Sequence, residues 1–142
     1  MIVKFKDLKT LREKLKSKKI VFAGGTFDLL HNGHVKYLAK LKSMGNIVVI
    51  AISSDIRVKQ RKGPSRPILN QSERLTLIDS IKYVDYSLIA PDYIKNGIYP
   101  TIQVANELKP DIFVAIEKKW LKSAKKINST SRIIKKILRN YK

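Results

Sequence analysis

The chain has 142 residues, of which 44% are hydrophobic, with six glycines and five prolines. This composition suits one ordinary domain with a buried core and excludes disordered and repeat architectures. A net charge of +19 predicts anionic partners, without choosing among nucleotides, nucleic acids and anionic membranes. The absence of cysteine excludes disulfides, thiolate metal sites and thiol nucleophiles. No apolar run is long enough to cross a membrane or to form a signal peptide, so we expect a soluble, cytoplasmic protein.

Hydrophobic patterning predicts strands that alternate with helices along the chain. We expect helices over 7–18, 31–44, 100–108, from 70 onward and after 128, strands over 19–24, 46–53, 83–89 and 111–116, and a basic loop over 57–67. The near-continuous apolar run over 46–53 is typical of a strand buried on both faces. Strands and helices in this order imply right-handed crossovers. The expected fold is a single doubly wound, Rossmann-like parallel sheet of four to five strands in one domain over 1–142.

One segment carries the chemistry: residues 24–34 read GGTFDLLHNGH and join the first strand to a helix, where open α/β sheets bind ligands. His31 and His34 are three residues apart, so both imidazoles share one face of the first helical turn. The free N–H groups and the positive helix end point the same way, and Gly33 leaves the backbone open to a phosphate. The GxGxxG and Walker-type phosphate motifs are absent. The segment therefore predicts a site for the charge that develops in phosphoryl transfer.

This segment resembles the signature of the HxGH nucleotidyltransferases of the cytidylyltransferase-like family. The matching positions are Gly25, Thr26, Phe27, Asp28, His31, Gly33 and His34. The strand VVIAISSD ending at Asp55, the QSER helix start with Arg74, and the turn Ser129, Thr130 and Ser131 extend the resemblance. Related enzymes include glycerol-3-phosphate cytidylyltransferases, archaeal-type FAD synthases and the nucleotidyl domain of ADP-heptose synthases, which has a loop like KGPSRP.

The resemblance implies an in-line attack by a substrate phosphate on the α-phosphorus of a nucleoside triphosphate, with release of pyrophosphate. It implies that His31 and His34 stabilise the pentacoordinate phosphorus. The implied nucleotide-binding residues are Gly25, Thr26, Phe27, Asn32, Gly33, Arg74, Ser129, Thr130 and Ser131. The implied phosphate clamp or substrate contacts are Asp28, Asp55, Lys59, Arg61 and Lys62. Mg²⁺ is expected to arrive with the nucleotide, and the sequence shows no metal cage of its own.

Several of these residues also have simpler interpretations. Asp28 and the turn at 129–131 can act as helix caps, Asp55 can orient a turn, and Arg74 can be a solvated first-turn residue. Residues 116–128 depart from the family pattern, because the Gly-x-Asp element that usually follows the fourth strand is missing.

The preferred hypothesis is an enzyme that transfers AMP from ATP, rather than CMP from CTP, to FMN, which gives FAD. The alternative is a cytidylyl- or adenylyltransferase that acts on glycerol 3-phosphate or a heptose phosphate. A hypothesis of another class is a catalytically degenerate nucleotide- or nucleic-acid-binding protein. The basic tail over 118–142 is interpreted as a solvated face that steers anions, so neither a nucleic acid nor a membrane is the expected partner. The sequence leaves open whether the protein forms a homodimer.

Overall fold

A computed structural model describes residues 1–115 and 132–135 of the chain. A short 3₁₀ turn at Phe5–Asp7 precedes the first helix. The helices are α1 Leu8–Lys14, α2 Asn32–Lys42, α3 Asp55–Lys62, α4 Gln71–Asp79 and α5 Pro100–Leu108, and the strands are β1 Ile20–Gly25, β2 Ile47–Ile52, β3 Tyr86–Ile89, β4 Ile112–Ala115 and β5 Arg132–Lys135. None of the helices in these ranges is long and apolar enough to cross a membrane.

The five strands form one parallel sheet in the order β3-β2-β1-β4-β5. Strand β1 is central, with Ile20 aligned to Ile47 of β2 and Val21 aligned to Ile112 of β4. The chain therefore builds outward from β1 through β2 to β3, and then returns to the other side of β1 for β4 and β5. This reversal confirms the predicted doubly wound sheet, and it puts the switch point at the carboxyl end of β1.

Helices cover the sheet on both faces, because alternate residues of each strand point to opposite sides. On one face α1 and α5 pack over the sheet, in a core that includes Leu11, Phe22, Leu88, Ile102 and Phe113. On the other face α2 and α4 do so, in a core that includes Val21, Leu38, Ile50, Ile78 and Val114. The central strands are thus buried on both sides, which explains why β2 is a continuous apolar run.

Two predicted elements are wrong. The basic stretch predicted as a loop over 57–67 is helical as far as Lys62, because Lys, Arg and Gln are good helix formers and the side chain of Ser54 caps the helix by accepting from the N–H of Arg57. The segment predicted to continue a helical tail forms β5 instead. Its Ile133 and Ile134 pair with Phe113 and Val114 of β4, so strand pairing with the sheet overrides the helical pattern.

The first helix is also shorter than predicted. It runs from Leu8 to Lys14 rather than over 7–18, and Asp7 belongs to the preceding 3₁₀ turn. Its apolar residues nevertheless pack as expected, with Leu8, Leu11 and Leu15 all buried in the core on the α1 face.

The start of α5 packs directly on the end of β1 at a glycine. A Cβ atom at Gly24 would lie 2.7 Å from Cγ2 of Thr101 and 3.0 Å from its Oγ1. Only a residue without a side chain lets α5 begin this close to the carboxyl end of the central strand.

Replacement of Gly24 by Ala is expected to lower the free energy of unfolding by about 1–3 kcal/mol, because the added methyl group overpacks a closed contact. Urea unfolding measures the change. The double variant Gly24→Ala/Thr101→Ser removes the methyl group at 2.7 Å and should recover part of the loss. A Gly24→Ala protein as stable as the parent would contradict the packing argument.

Candidate active site

The two histidines cap helix α2 in a reciprocal arrangement. His31 is the N-cap residue, and its Nδ1 accepts a hydrogen bond from the N–H of Gly33 at 3.0 Å. In return the N–H of His31 donates to Nδ1 of His34 at 3.3 Å. This is a capping box in which both side-chain acceptors are imidazole nitrogens. The rings stack, with centroids 3.9 Å apart.

These bonds fix which ring nitrogen carries the proton. A nitrogen that accepts a hydrogen bond has no proton, so each neutral imidazole of His31 and His34 must be protonated at Nε2. Both rings therefore present an Nε2–H donor away from the helix. The predicted use of free amides in the first turn needs correction, because the N–H of Gly33 is already bonded to His31. The donors that the imidazole pair itself offers to an anion are the two Nε2–H groups.

The surroundings of His34 favour its neutral form. Burial lowers its pKa below the ordinary value of 6.5, and the adjacent His31 lowers it further. The Phe27 ring stands 5.4 Å from the His34 ring and contributes to this burial. The neutral tautomer that the capping box requires is therefore the form the site stabilises.

The lowered pKa of His34 makes stability depend on pH. The unfolded chain takes up a proton more readily than the folded chain as the pH falls below 6.5, so the free energy of unfolding falls over that range. His34→Gln should remove this part of the slope. Urea unfolding at a series of pH values on either side of 6.5 measures it for both proteins. Parallel pH profiles for the two proteins would show that the pKa of His34 does not change on folding.

The turn between β1 and α2 is held in an unusual backbone conformation. Phe27 has a φ of 50°, in the left-handed region that non-glycine residues seldom adopt. A Cβ atom at Gly25 would lie 2.7 Å from the Phe27 ring, so the glycine lets this ring fold back over the strand end. There the ring supports His34. Gly25 and Phe27 therefore shape the site through close packing.

Asp28 has a structural role, which corrects its prediction as a phosphate clamp. The residue is 5% exposed. Its carboxylate accepts hydrogen bonds from the N–H groups of Ile68 and Leu69, and the shorter bond from each is 2.9 Å long. Nε of Arg66 lies 3.0 Å from Oδ2. Burial would raise the pKa of Asp28, but the two N–H bonds and the Arg66 charge outweigh it and lower the pKa. Asp28 does not cap α2 either, because His31 does.

The substitution Asp28→Asn should loosen the segment that leads into α4. An amide removes the charge opposite Arg66 and replaces one acceptor oxygen with a donor, which leaves a backbone N–H unpaired at a cost of about 1–3 kcal/mol. Urea unfolding measures this loss. Asp92→Asn alters an exposed aspartate and serves as the matched control. Equal stability of Asp28→Asn and the control would refute the anchoring role.

Arg74 is completely buried, which corrects its prediction as a solvated or triphosphate-contacting residue. Its Nε donates to the carbonyl of Leu69 at 3.0 Å, and its Nη1 donates to the carbonyls of Thr26 and Ser53 at 2.8 Å each. Its Nη2 pairs with Oδ1 of Asp55 at 2.7 Å. Every nitrogen of the guanidinium is thus bonded inside the protein. Asp55 is its counter-ion and begins α3, so at least one oxygen of its carboxylate is engaged within the protein.

Helix α3 borders a pocket that carries two arginines. The pocket lies between this helix and the start of α5, and its lining is Ser53, Arg57, Arg61, Pro91, Tyr99, Pro100 and Thr101. Nη2 of Arg61 donates to Oγ1 of Thr26 at 3.2 Å and to Oγ of Ser53 at 2.9 Å. Arg61 therefore connects the pocket to the turn that leads to the histidines.

The other predicted site residues lie as follows. Lys59 and Lys62 are on α3, not on a loop, and both are exposed. Asn32 is exposed in the first turn of α2. Ser129, Thr130 and Ser131 lie outside the described residues, as does the departure over 116–128. Within the ranges 1–115 and 132–135, no group of three or more His, Asp or Glu side chains could hold a metal ion.

Sequence reasoning did not assign Ser53, Arg57 or the start of α5 to the site. Ser53 had a usable signal, since it is the last residue of the buried strand predicted over 46–53 and strand ends are ligand positions in such sheets. Arg57 was missed because the stretch over 57–62 was interpreted as a loop, so its position one helical turn before Arg61 was not considered.

The imidazole pair thus lies at the switch point of a doubly wound sheet, the place where such sheets bind ligands. The chain belongs to the cytidylyltransferase-like family, whose model matches residues 22–142. It is similar to the bifunctional protein HldE of Helicobacter pylori strain 26695, with 39% identity over 111 residues that make up 78% of this chain. For HldE of H. pylori strain J99 the identity is 37%, and the match covers 96% of this chain. These matches span 23% and 31% of the two relatives.

The fold is also similar to a solved structure. It matches the crystal structure of a lipopolysaccharide core biosynthesis protein from Thermoplasma volcanium with a TM-score of 0.65 and 28% sequence identity. The match covers 84% of this chain and 98% of that one. Sequence and structure comparisons thus agree on the family over residues 22–142 and on the fold.

Proposed function

We propose that the protein transfers AMP from ATP to the phosphate of a sugar phosphate of the heptose type and releases pyrophosphate. The HldE relatives and the KGPSRP segment support this alternative over FMN, the preferred acceptor from the sequence. The observation that carries the proposal is the imidazole pair with both Nδ1 atoms engaged in capping. An arginine-lined pocket is linked to the turn before this pair by the bond from Arg61 to Thr26.

The imidazole pair suits the transferred phosphorus. During in-line transfer an acceptor phosphate oxygen bonds to the α-phosphorus, and the bond from that phosphorus to the bridging oxygen of the β-phosphate breaks. Negative charge spreads over the equatorial oxygens. Nε2–H of His31 and Nε2–H of His34 are fixed donors for that charge, and they need no reorientation because the capping box already holds both rings.

The arginine pocket suits the acceptor phosphate. Two anionic phosphates repel each other in water, so a nucleotidyltransferase must neutralise the attacking group as it approaches. Arg57 and Arg61 supply two positive charges one helical turn apart on α3. Arg61 also contacts Thr26, in the turn before the histidines. An acceptor phosphate held there would face the nucleotide across this turn.

Mg²⁺ is proposed to enter as part of the ATP substrate, bound to its phosphates. The carboxylates of Asp28 and Asp55 are engaged by Arg66 and Arg74. Because these carboxylates are already paired, we propose that the nucleotide brings its own cation. That cation would neutralise the leaving pyrophosphate.

Pyrophosphate release tests the reaction. ATP and CTP are offered separately with Mg²⁺ against heptose 1-phosphate, glycerol 3-phosphate and FMN. We expect release with ATP and the heptose phosphate. Release only with FMN would restore the preferred hypothesis from the sequence, and release only with CTP would change the nucleotide. Silence throughout with calorimetric ATP binding would favour a degenerate binder, and silence without ATP binding would refute the proposal.

Variants of the capping histidines separate chemistry from folding. In His31→Asn the amide oxygen replaces Nδ1 as the cap acceptor, whereas the Nε2–H donor is lost. We expect turnover to fall ~10²–10³-fold with little change in thermal stability. His31→Ala should lose the same turnover and also the cap. Lys40→Ala, exposed on the same helix, is the control. Near-normal turnover of His31→Asn would exclude a role for its Nε2–H.

A further inference from the structure

The buried guanidinium of Arg74 donates three hydrogen bonds to backbone carbonyls in addition to its ion pair with Asp55. Burial of a guanidinium is costly and is tolerated only where its donors are satisfied. Asp55 supplies the counter-charge, while three backbone carbonyls from separate parts of the chain accept the remaining bonds. Two of these carbonyls belong to Thr26, just after β1, and Ser53, just after β2. One planar group thus connects the ends of two neighbouring strands.

The same two residues hold a second arginine on their other polar atoms. The carbonyls of Thr26 and Ser53 accept from Arg74, whereas their hydroxyls accept from Arg61. Arg74 is fully buried, and Arg61 lines the pocket. Thr26 and Ser53 therefore lie between the buried Arg74 and the pocket-lining Arg61.

We propose that Arg74 is a positioning residue that sets Arg61, through Thr26 and Ser53, in the place where it meets the acceptor phosphate. The assignment of the acceptor to Arg61 rests on the proposed function. The setting of Arg61 by Arg74 does not, because it follows from contacts within the protein. Arg74 itself touches no substrate.

The shape of the guanidinium is what this role requires. Nη1 alone reaches two carbonyls, Nε reaches a third, and Nη2 faces Asp55 in the same plane. An ammonium group keeps the charge opposite Asp55 but cannot hold this fork. Arg74→Lys therefore changes the geometry of the hydrogen bonds and keeps the positive charge. It leaves Asp55 with a counter-ion, whereas Arg74→Ala would remove that counter-ion. Ser53→Ala removes the bond from Arg61 to the Ser53 hydroxyl and keeps the Ser53 carbonyl that accepts from Arg74.

Nuclear magnetic resonance of the arginine side chains tests the positioning without any substrate. The ¹⁵Nε signal of Arg61 is identified by its disappearance in Arg61→Lys. In the parent protein we expect hindered rotation of this guanidinium, and faster rotation in both Ser53→Ala and Arg74→Lys. Arg12→Lys, which alters an ion pair with Asp111 near the start of β4, should leave the Arg61 signal unchanged. An Arg61 signal unchanged in Arg74→Lys would overturn the proposal, whatever the acceptor is.

A double-mutant cycle tests the consequence for catalysis, with whichever acceptor supports turnover. We expect Ser53→Ala to raise the KM for the acceptor about tenfold and Arg74→Lys to lower kcat/KM for it by up to about 10²-fold, with the KM for ATP little changed. In an Arg61→Ala background both effects should largely disappear. Full additivity would refute the route through Arg61.

The two measurements separate the two ways of failing. If Arg61 is released in the resonance experiment but the heptose phosphate is not a substrate, the proposed function fails and the positioning stands. If turnover with the heptose phosphate is normal but Arg61 rotates equally in all variants, the positioning fails and the function stands. Thermal unfolding of Arg74→Lys, and of Ser53→Ala as the milder variant, shows that each effect is measured on folded protein.

Discussion

The carboxyl end of strand β1 is the constraint on which the site depends. This strand has a neighbouring strand on each side and helices on each face. Its direction and the position of its end are therefore fixed by packing on all sides. The turn of Thr26 and Phe27, the imidazole pair and the start of α5 are all placed relative to that one point. Parallel strands bring their carboxyl ends to the same edge, and the N–H of Ser53, after β2, therefore donates to the carbonyl of Gly25 at the end of β1, at 2.9 Å. Site and fold are specified by the same packing.

The sequence was sufficient for the parts that depend on short-range patterns. The strand–turn–helix order around GGTFDLLHNGH and the three-residue histidine spacing located the imidazole pair, although His31 caps α2 with an extended backbone and does not share a helical face with His34. The capping role of the histidines follows the same spacing as a Ser/Thr-x-x-Glu box.

Long-range contacts explain what the sequence did not reveal. Nothing near Arg74 in the chain indicates that its guanidinium reaches carbonyls after β1 and β2, and a first-turn arginine is usually solvated. Asp28 likewise finds its partners about 40 residues away, at Ile68 and Leu69. Segment 132–135 becomes a strand because β4 offers it a free edge. In each case a tertiary partner decides the outcome.

The bond between the Gly33 N–H and Nδ1 of His31 has a consequence for how the site is lost. The same bond that begins the helix orients the ring, so transient fraying of the first turn of α2 also randomises the imidazole. Helix ends open locally at much lower free energy than the whole fold. Opening of this bond exposes the Gly33 amide to exchange and releases the His31 ring at the same time. Hydrogen exchange at Gly33 therefore reports how often that ring is released, in the absence of nucleotide or acceptor.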